Sequence, residues 1–325
     1  KEILDFCPRK LVIIERNEHS LYLLINQIKE INKNTIDIVP ILCCLTKQEF
    51  VEKIFLENNL DIIFHCAAYK HVPLVESNPI QGIYNNDFST ISICKTASKV
   101  DVKKVILISS DKAVRPTSIM GASKRICEII LQSYAENEKK KKHQKTIFSM
   151  VRFGNVIGSS GSVVPLFKKQ IKKGGPITLT HQSIIRYFMT IKEASQLVLQ
   201  ASSLANGGEI FLLDMGEPIR IFDLACLMIK LSGFSVKDHE NPKGDIEILT
   251  TGLRPGEKLF EELIIDGESI RTKHPLIYFA KEKFISFNEL QKDLNKLESK
   301  LSKYDKNQVF SIVKKLVPDW NSLNY

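Results

Sequence analysis

The sequence Val105-Ile106-Leu107-Ile108-Ser109-Ser110-Asp111-Lys112 decides the fold class of the chain. It begins with an uninterrupted apolar run, which is typical of a β-strand buried on both faces of a parallel sheet. Similar short runs occur elsewhere in the first half of the chain, at residues 11–14, 36–39, 62–66 and 148–153. Stretches with helical periodicity separate these runs, at residues 19–31, 47–58, 79–99 and 118–138. This alternation predicts an α/β fold with a doubly wound parallel sheet, as in Rossmann-like nucleotide-binding domains.

The pattern changes after residue 155. Glycine-containing turns then separate short helices and strands, at residues 158–161, 174–176, 206–208 and 254–256. We therefore predict three regions. They are a doubly wound α/β portion at residues 1–155, a smaller α+β portion at 156–280, and a helical, lysine-rich tail at 281–325.

The start of the chain lacks a feature that nucleotide-binding sheets usually carry. Such sheets open with a strand, a glycine-rich turn and a helix whose N-terminal N–H groups bind pyrophosphate. No G-x-G-x-x-G occurs in this sequence, which begins at Lys1 without an initiator methionine and runs through a short helical segment into the strand at 11–14. Either the fold does not bind a dinucleotide, or its first strand and phosphate loop lie upstream of Lys1.

Composition excludes several classes of protein. Hydrophobic residues make up 43% and charged residues 26% of the chain, which rules out fibrous, collagen-like and wholly disordered proteins. The net charge of +9 is compatible with nucleic acid, anionic lipid or a phosphorylated small substrate as partner. The seven cysteines lack the paired spacing of a zinc site or of a secreted disulfide framework, so we expect no metal and a cytoplasmic location. No run of 18 apolar residues occurs.

Polar residues follow the strand at 105–109. Residues just past the carboxyl end of a strand line the ligand crevice of an open α/β sheet, so we expect Ser110, Asp111 and Lys112 there. Met120 and Lys124 are four residues apart on the predicted next helix and therefore share a face. A hydroxyl, a carboxylate and two amines thus converge on one site.

This pattern resembles the active site of the nucleotide-sugar 4,6-dehydratases, which belong to the extended short-chain dehydrogenase/reductase superfamily and act in capsule and O-antigen polysaccharide biosynthesis. The shared elements are S/T-D-K, then Tyr or Met nine residues after the Asp, then G-A-[ST]-K. Other matching segments follow in order over roughly residues 8–265, at 65–76, 85–86, 151–158, 186–190 and 252–259. Full-length members of this branch carry an N-terminal membrane region, so the resemblance also implies attachment to a membrane through a region upstream of Lys1.

The resemblance implies a UDP-N-acetylhexosamine substrate such as UDP-N-acetylglucosamine. A hydride leaves sugar C4 for a nicotinamide, a base removes the C5 proton, an acid helps to expel the C6 hydroxyl, and the hydride returns to C6. Asp111 and Lys112 would be the acid/base pair, Lys124 would hold the nicotinamide ribose, and Ser110 would hydrogen-bond the C4 oxygen. Met120 stands where most of the superfamily has a tyrosine, and a thioether cannot exchange protons. Deprotonation of the C4 hydroxyl then falls to Asp111, Lys112 or a water between them.

The same resemblance implies that residues 1–155 are a Rossmann-like NAD(P)-binding domain, incomplete at its N-terminus, and that residues 156–280 bind the UDP-sugar. It also assigns the binding residues. The positions expected to bind the cofactor are Glu15, Arg16, Ala67, Ala68, Lys70, Asn86 and Lys124. The positions expected to bind the uridine diphosphate and its ribose are Asn155, Arg186, Arg254 and Glu257. Arg16 favours NADP, because an arginine pairs with the 2′-phosphate, whereas Glu15 would bond the 2′-hydroxyl of NAD. Cys43-Cys44 replaces the Gly-Asp that contacts adenine in relatives.

Two other functions remain open at this point. A UDP-sugar 4-epimerase shares the fold and the C4 oxidation but removes no C5 proton, so the Asp-Lys pair favours dehydration. A catalytically impaired nucleotide-sugar-binding protein would account for Met120, for Cys43-Cys44 and for the lack of a phosphate loop. We expect no nucleic-acid partner, a homo-oligomer by analogy with the superfamily, and a location in the cytoplasm or in the cytoplasmic part of an inner-membrane protein.

Overall fold

The computed structural model describes residues 1–32, 36–142, 145–159, 161–265 and 269–321. The helices in these ranges are α1 (Glu18–Asn32), α2 (Gln48–Asn58), α3 (Val72–Ser77), α4 (Pro79–Lys99), α5 (Ile119–Lys139), α6 (Val163–Lys172), α7 (Ile191–Leu204), α8 (Ile221–Leu231), α9 (Phe287–Ser302) and α10 (Lys306–Leu316). The strands are β1 (Lys10–Glu15), β2 (Asp37–Leu42), β3 (Ile62–His65), β4 (Lys104–Ile108), β5 (Ile147–Arg152), β6 (Asn155–Val156), β7 (Ile177–Leu179), β8 (Ile185–Arg186), β9 (Phe188–Met189), β10 (Ile210–Leu213), β11 (Ile219–Arg220), β12 (Val236–Lys237), β13 (Ile246–Thr250), β14 (Ile270–Arg271) and β15 (Ile277–Ala280).

A six-stranded sheet forms the centre of the molecule, in the order β14-β15-β10-β5-β4-β3. Strands β3, β4, β5 and β10 are parallel, and β15 and β14 complete the sheet antiparallel. Alternate residues of β4 face opposite layers: Val105 and Leu107 share a core with α4 and α5, whereas Ile106 shares a core with α7. Helices therefore cover both faces, and the predicted doubly wound α/β fold is confirmed.

The four predicted helices are α1, α2, α4 and α5, each within one residue of its expected ends. Two of them have clear sequence signals for their start. Pro79 opens α4, where its fixed φ suits the first turn, and the Ser118 hydroxyl accepts a hydrogen bond from the Gly121 N–H at the start of α5. The short helix α3 has no comparable periodicity, and sequence patterning did not find it.

Strands β1 and β2 form a separate parallel pair, with Lys10 opposite Asp37. In the described part of the chain this pair is not hydrogen-bonded to the central sheet. Ile14 and Ile41 nevertheless pack against the main core. The carboxyl end of β1 thus lies beside α4 and the loop after β3.

The predicted boundary at residue 155 differs from the observed layers. Strands β10, β14 and β15 come from the 156–280 region but belong to the central sheet. All four residues of β10 are buried, because β10 lies between β5 and β15 and is covered on both faces. The rest of the region forms the expected smaller α+β unit, in which β7, β12 and β13 form a sheet beside α6 and α8.

The C-terminal tail contains the helices α9 and α10, and both pack against the rest of the molecule. One side of α9 is lined by leucines at helical spacing, which pack into the main core beside α5: Leu290, Leu294, Leu297 and Leu301. Helix α10 and the following Trp320 join the same core. Together with α4, they leave α5 buried along nearly its whole length. Residues 322–325 of the predicted tail lie outside the described residues.

Candidate active site

A cavity of about 650 Å³ opens where β3, β4 and β5 end, which is the position at which open α/β sheets bind ligands. Its size lies within the range of small-molecule sites. The segments after these strands form one wall, and the smaller α+β unit forms the other. Ten of the residues predicted from the sequence line it: Ala68, Lys70, Ser110, Lys112, Met120, Lys124, Asn155, Arg186, Arg254 and Glu257.

A 3₁₀ turn over Asp111–Ala113 positions the acid/base pair directly after β4. The Ser110 hydroxyl accepts a hydrogen bond from the Lys112 N–H at 3.2 Å and donates one to Asp111 Oδ1 at 2.8 Å. Lys112 Nζ donates to the same Oδ1 at 3.0 Å and lies 3.5 Å from Asn155 Oδ1. Lys112 lines the cavity, whereas Asp111 is only 2% exposed and is not among the lining residues, so the two groups meet directly behind the cavity surface.

Charge around Lys112 keeps its amine protonated. Burial by itself lowers the pKa of Lys112, but the carboxylates of Asp111 and Glu261 outweigh burial, so that the net shift raises the pKa. Arg186 opposes this rise. The resting site therefore holds a lysine ammonium beside a carboxylate.

Helix α5 contributes Met120 and Lys124, and both line the cavity. Lys124 Nζ donates to the Ile108 carbonyl at 2.9 Å, at the end of β4. Gly121 lets the first turn of α5 approach this region, because a Cβ at that position would collide with the Lys112 carbonyl oxygen.

The smaller α+β unit contributes the arginines. The Arg186 guanidinium donates to the backbone carbonyls of Ile185, Leu259 and Lys258, so it fixes the 258–259 loop as well as lining the cavity. Glu257 accepts from the Arg254 N–H at 3.1 Å and from Thr180 Oγ1 at 2.9 Å. These contacts bring the loop at 254–258 to the cavity wall.

The remaining predicted cofactor residues surround the cavity and do not line it. Glu15 Oε1 accepts the N–H groups of Arg16 and Asn17, which closes the turn after β1. The Arg16 guanidinium lies 5.1 Å from the centre of the Tyr69 ring and donates to Asn85 Oδ1 at 2.7 Å. The exposed Ala67 lies in the same loop as Tyr69.

Asn86 fixes the loop after β3 through the hydrogen bonds of its side-chain amide. The residue is completely buried; it accepts from the Tyr69 N–H at 2.7 Å and donates to Ser123 Oγ at 3.0 Å. Its amide therefore positions the loop after β3 and connects it to α5.

The site fits one end of a nicotinamide cofactor. Lys124 supplies an amine for a ribose, and the cavity wall around Cys66 and Ala68 could accept a flat ring. The sequence contains no glycine-rich turn that would cradle a pyrophosphate. The nicotinamide–ribose portion thus has a matching environment among the described residues, whereas the phosphate portion has none of its usual partners.

Sequence reasoning missed Glu261. Its side chain is 4% exposed, and Oε1 lies 3.5 Å from Lys112 Nζ. Glu261 follows a turn-rich loop 150 positions after Asp111, so neither strand pattern nor helical spacing connects it to the acid/base pair.

The chain belongs to the family of polysaccharide biosynthesis proteins, which matches residues 1–282. The family resemblance inferred from the motifs is thereby confirmed. The capsular polysaccharide biosynthesis protein CapD of Staphylococcus aureus is 45% identical over 268 residues, which is 82% of this chain and 43% of CapD. The chain therefore spans less than half the length of this relative.

Two further proteins are similar to this chain in sequence or in structure. A UDP-glucose 4-epimerase of Rickettsia rickettsii is 34% identical over 211 residues, which is 65% of this chain and 58% of that protein. The X-ray structure of Pen from Bacillus thuringiensis superimposes with a TM-score of 0.75 at 32% identity, over 90% of this chain and 91% of that chain.

Within the described ranges, none of the helices combines the length and the apolar character needed to cross a membrane.

Proposed function

We propose that the protein is a UDP-N-acetylhexosamine 4,6-dehydratase, which converts UDP-N-acetylglucosamine into a 4-keto-6-deoxy nucleotide sugar for cell-surface polysaccharide synthesis. The observation that carries this proposal is the contact of 3.0 Å between the buried Asp111 carboxylate and Lys112, which lines the cavity. Dehydration needs a group that removes the C5 proton and a group that protonates the departing C6 hydroxyl. A carboxylate and an ammonium in contact supply both.

The charge state of the pair supports the proposed division of the two roles. The Lys112 ammonium holds a proton and is the donor to the C6 oxygen, and the Asp111 carboxylate beside it is the acceptor for the C5 proton. Ser110 donates to Asp111 and keeps the carboxylate oriented. Met120 lines the cavity and cannot exchange protons, so the proton released from the C4 hydroxyl is proposed to pass, directly or through a water, to Lys112, where it replaces the proton given to the departing C6 hydroxyl.

A nicotinamide cofactor, when bound, would supply the hydride acceptor for sugar C4 and the hydride donor for C6. Lys124 is the residue proposed to hold its ribose, and its ammonium would favour negative charge developing on the C4 oxygen. Arg16 is the proposed partner of a 2′-phosphate, which would make the cofactor NADP.

Arginine and carboxylate side chains of the smaller unit are proposed to bind the uridine diphosphate. Arg186 and Arg254 present charge that suits diphosphate oxygens, and Asn155 and Glu257 offer hydrogen-bonding groups for the uridine ribose. Their position across the cavity from Lys124 would direct the sugar toward Asp111 and Lys112.

A UDP-sugar 4-epimerase is the second candidate, favoured by the 34% identity to a UDP-glucose 4-epimerase. Hydrogen exchange at C5 separates the two reactions. We expect the full-length protein, incubated with UDP-N-acetylglucosamine in heavy water, to yield a 4-keto-6-deoxy product that carries deuterium at C5. NMR of the product measures it, with the same reaction in ordinary water as the control. A C4-inverted product without deuterium at C5 would establish epimerisation.

Cofactor affinity provides a separate prediction. Because no glycine-rich turn is present, the 325-residue chain lacks the N–H groups that normally contribute most to pyrophosphate binding. Calorimetry is expected to show NADP binding weaker than about 100 μM or no saturable heat. A dissociation constant of a few micromolar would show that other residues replace the phosphate loop.

A further inference from the structure

Glu261 lies behind the acid/base pair, in the segment that Arg186 fixes. Arg186 donates to the carbonyls of Lys258 and Leu259, and its Nη2 lies 3.9 Å from Glu261 Oε1. The Glu261 side chain is 4% exposed, so its carboxylate is withdrawn from solvent. This location needs an explanation, because burying a carboxylate is costly unless cations compensate it.

Lys112 supplies the compensating charge. Its Nζ is 3.0 Å from Asp111 Oδ1 and 3.5 Å from Glu261 Oε1, so the ammonium lies between two carboxylates from distant parts of the chain. Among the described residues, Glu261 Oε2 has no hydrogen-bond partner. Glu261 also lines a second, smaller cavity of about 160 Å³, together with Lys112, Arg186 and Glu257.

We propose that Glu261 is a positioning residue of this site, whose carboxylate holds the Lys112 ammonium against Asp111 and keeps it charged until it donates its proton. The proposal rests on the proposed dehydratase function for its catalytic meaning, but the geometric claim stands independently of the reaction. Arg186 fixes the 258–259 loop, which precedes Glu261, and its guanidinium lies near the Glu261 carboxylate. Asp111 is the second carboxylate in contact with the Lys112 ammonium.

Every charged group around Lys112 contributes to its titration. Asp111 and Glu261 raise the pKa of Lys112, while burial and Arg186 lower it. Lys112 lowers the pKa of Lys70, which lies in the loop after β3. Burial raises the pKa of Glu261, whereas the charges of Lys112, Arg186 and Lys258 oppose that rise. Neutralising Glu261 removes one of the two anions, so the pKa of Lys112 must fall. Since a proton donor works only while protonated, the alkaline limb of the kcat profile must move to lower pH.

The test compares Glu261→Gln, which removes the charge but keeps the shape, with Glu262→Gln. Glu262 is the adjacent residue, is 47% exposed and pairs with Arg115 on the surface, so it is a matched control. NMR of the full-length protein labelled in its lysine side chains would follow the titration of Lys112, assigned by loss of its signal in Lys112→Arg. The kcat of dehydration would be measured over the same pH range.

We expect Glu261→Gln to lower the Lys112 titration midpoint by about 1 unit or more and to move the alkaline limb of kcat in the same direction. Glu261→Asp retains a titration close to wild type because it keeps the charge, and Glu262→Gln matches wild type. Glu261→Ala serves as a second neutral variant if Glu261→Gln does not fold. An unchanged or raised Lys112 midpoint in the neutral variants would overturn the proposal. Absence of a 4-keto-6-deoxy product from the wild-type protein would instead overturn the dehydratase function, and the NMR titration would still decide the role of Glu261.

Discussion

Replacing Asp111 with asparagine is expected to lower kcat for dehydration by about 10²–10⁴-fold, the usual contribution of a general acid or base. Asparagine has the size of aspartate, and its amide oxygen can still accept the hydrogen bonds from Ser110 and Lys112. It cannot accept a proton from C5, however. The fall in kcat therefore reflects a slower chemical step, and KM for the UDP-sugar should change far less than kcat.

Two comparisons make this expectation specific. Asp61→Asn changes an exposed aspartate that pairs with Lys103 far from the cavity, and we expect its kcat to equal that of the wild-type protein. Lys112→Ala removes the other half of the pair and should lower kcat by a similar factor. Product formation at the wild-type rate in both Asp111→Asn and Lys112→Ala would exclude the pair as the catalytic centre.

Replacing Arg152 with methionine is expected to destabilise the protein by about 3–5 kcal/mol, because it breaks a buried ion-pair network. Arg152 is fully buried at the end of β5 and donates to both oxygens of Glu128 on α5 at 2.6–2.7 Å. It also donates to both oxygens of Glu282, just after β15. Arg125 is the second cation, so two arginines balance two glutamates. Without Arg152, one carboxylate is left uncompensated.

Thermal unfolding measures this effect. From an unfolding entropy of about 2.1 cal/mol/K per residue, the melting temperature of Arg152→Met should fall by about 4–7 °C. Lys103→Met breaks an exposed ion pair instead and should cost less than about 1 kcal/mol. Adding Glu128→Gln to Arg152→Met should recover part of the loss, since the remaining Arg125 and Glu282 are balanced. A loss in Arg152→Met no larger than in Lys103→Met would show that the network is dispensable.

The same network makes stability depend on acid. Burial alone would raise the pKa of Glu128, but Arg152, Arg125 and Ser109 outweigh burial and lower it to about 2. A carboxylate whose folded pKa is depressed stabilises the fold fully above its unfolded pKa of about 4.3 and loses this contribution as pH falls toward 2. Arg152→Met should therefore lose stability less steeply than wild type over that interval.

Much of the fold could be read from the sequence because the signals are local. The apolar run at 105–108 and the periodic helices need only short windows, and their ends were predicted closely. Strand β10 was not assigned to the central sheet, because four apolar residues do not reveal which sheet they enter. The leucines of α9 were likewise visible as a helix, but their burial against α5 depends on tertiary packing.

The candidate site divides in the same way. Ser110, Asp111 and Lys112 follow a strand, and that position alone predicts that this segment reaches the ligand crevice, which Ser110 and Lys112 line. Glu261 reaches Lys112 only because the chain folds back through the smaller unit, so no spacing rule could find it. The role of Asn86 also needed the structure, since its amide is used up in holding the loop after β3.

Because α10 and the residues after it pack into the core beside α5, the fluorescence of a buried tryptophan can be used to follow that packing. Trp320 is the only tryptophan of the chain; it is fully buried, with its ring edge-on to Phe310 at 5.6 Å. The next residue, Asn321, donates its N–H to the Pro116 carbonyl, in the loop between Lys112 and α5. Tryptophan fluorescence thus originates from one point, where the C-terminal segment meets the loop between Lys112 and α5. The wavelength of this emission shows whether α9 and α10 are packed against α5, independently of the helix content that circular dichroism measures.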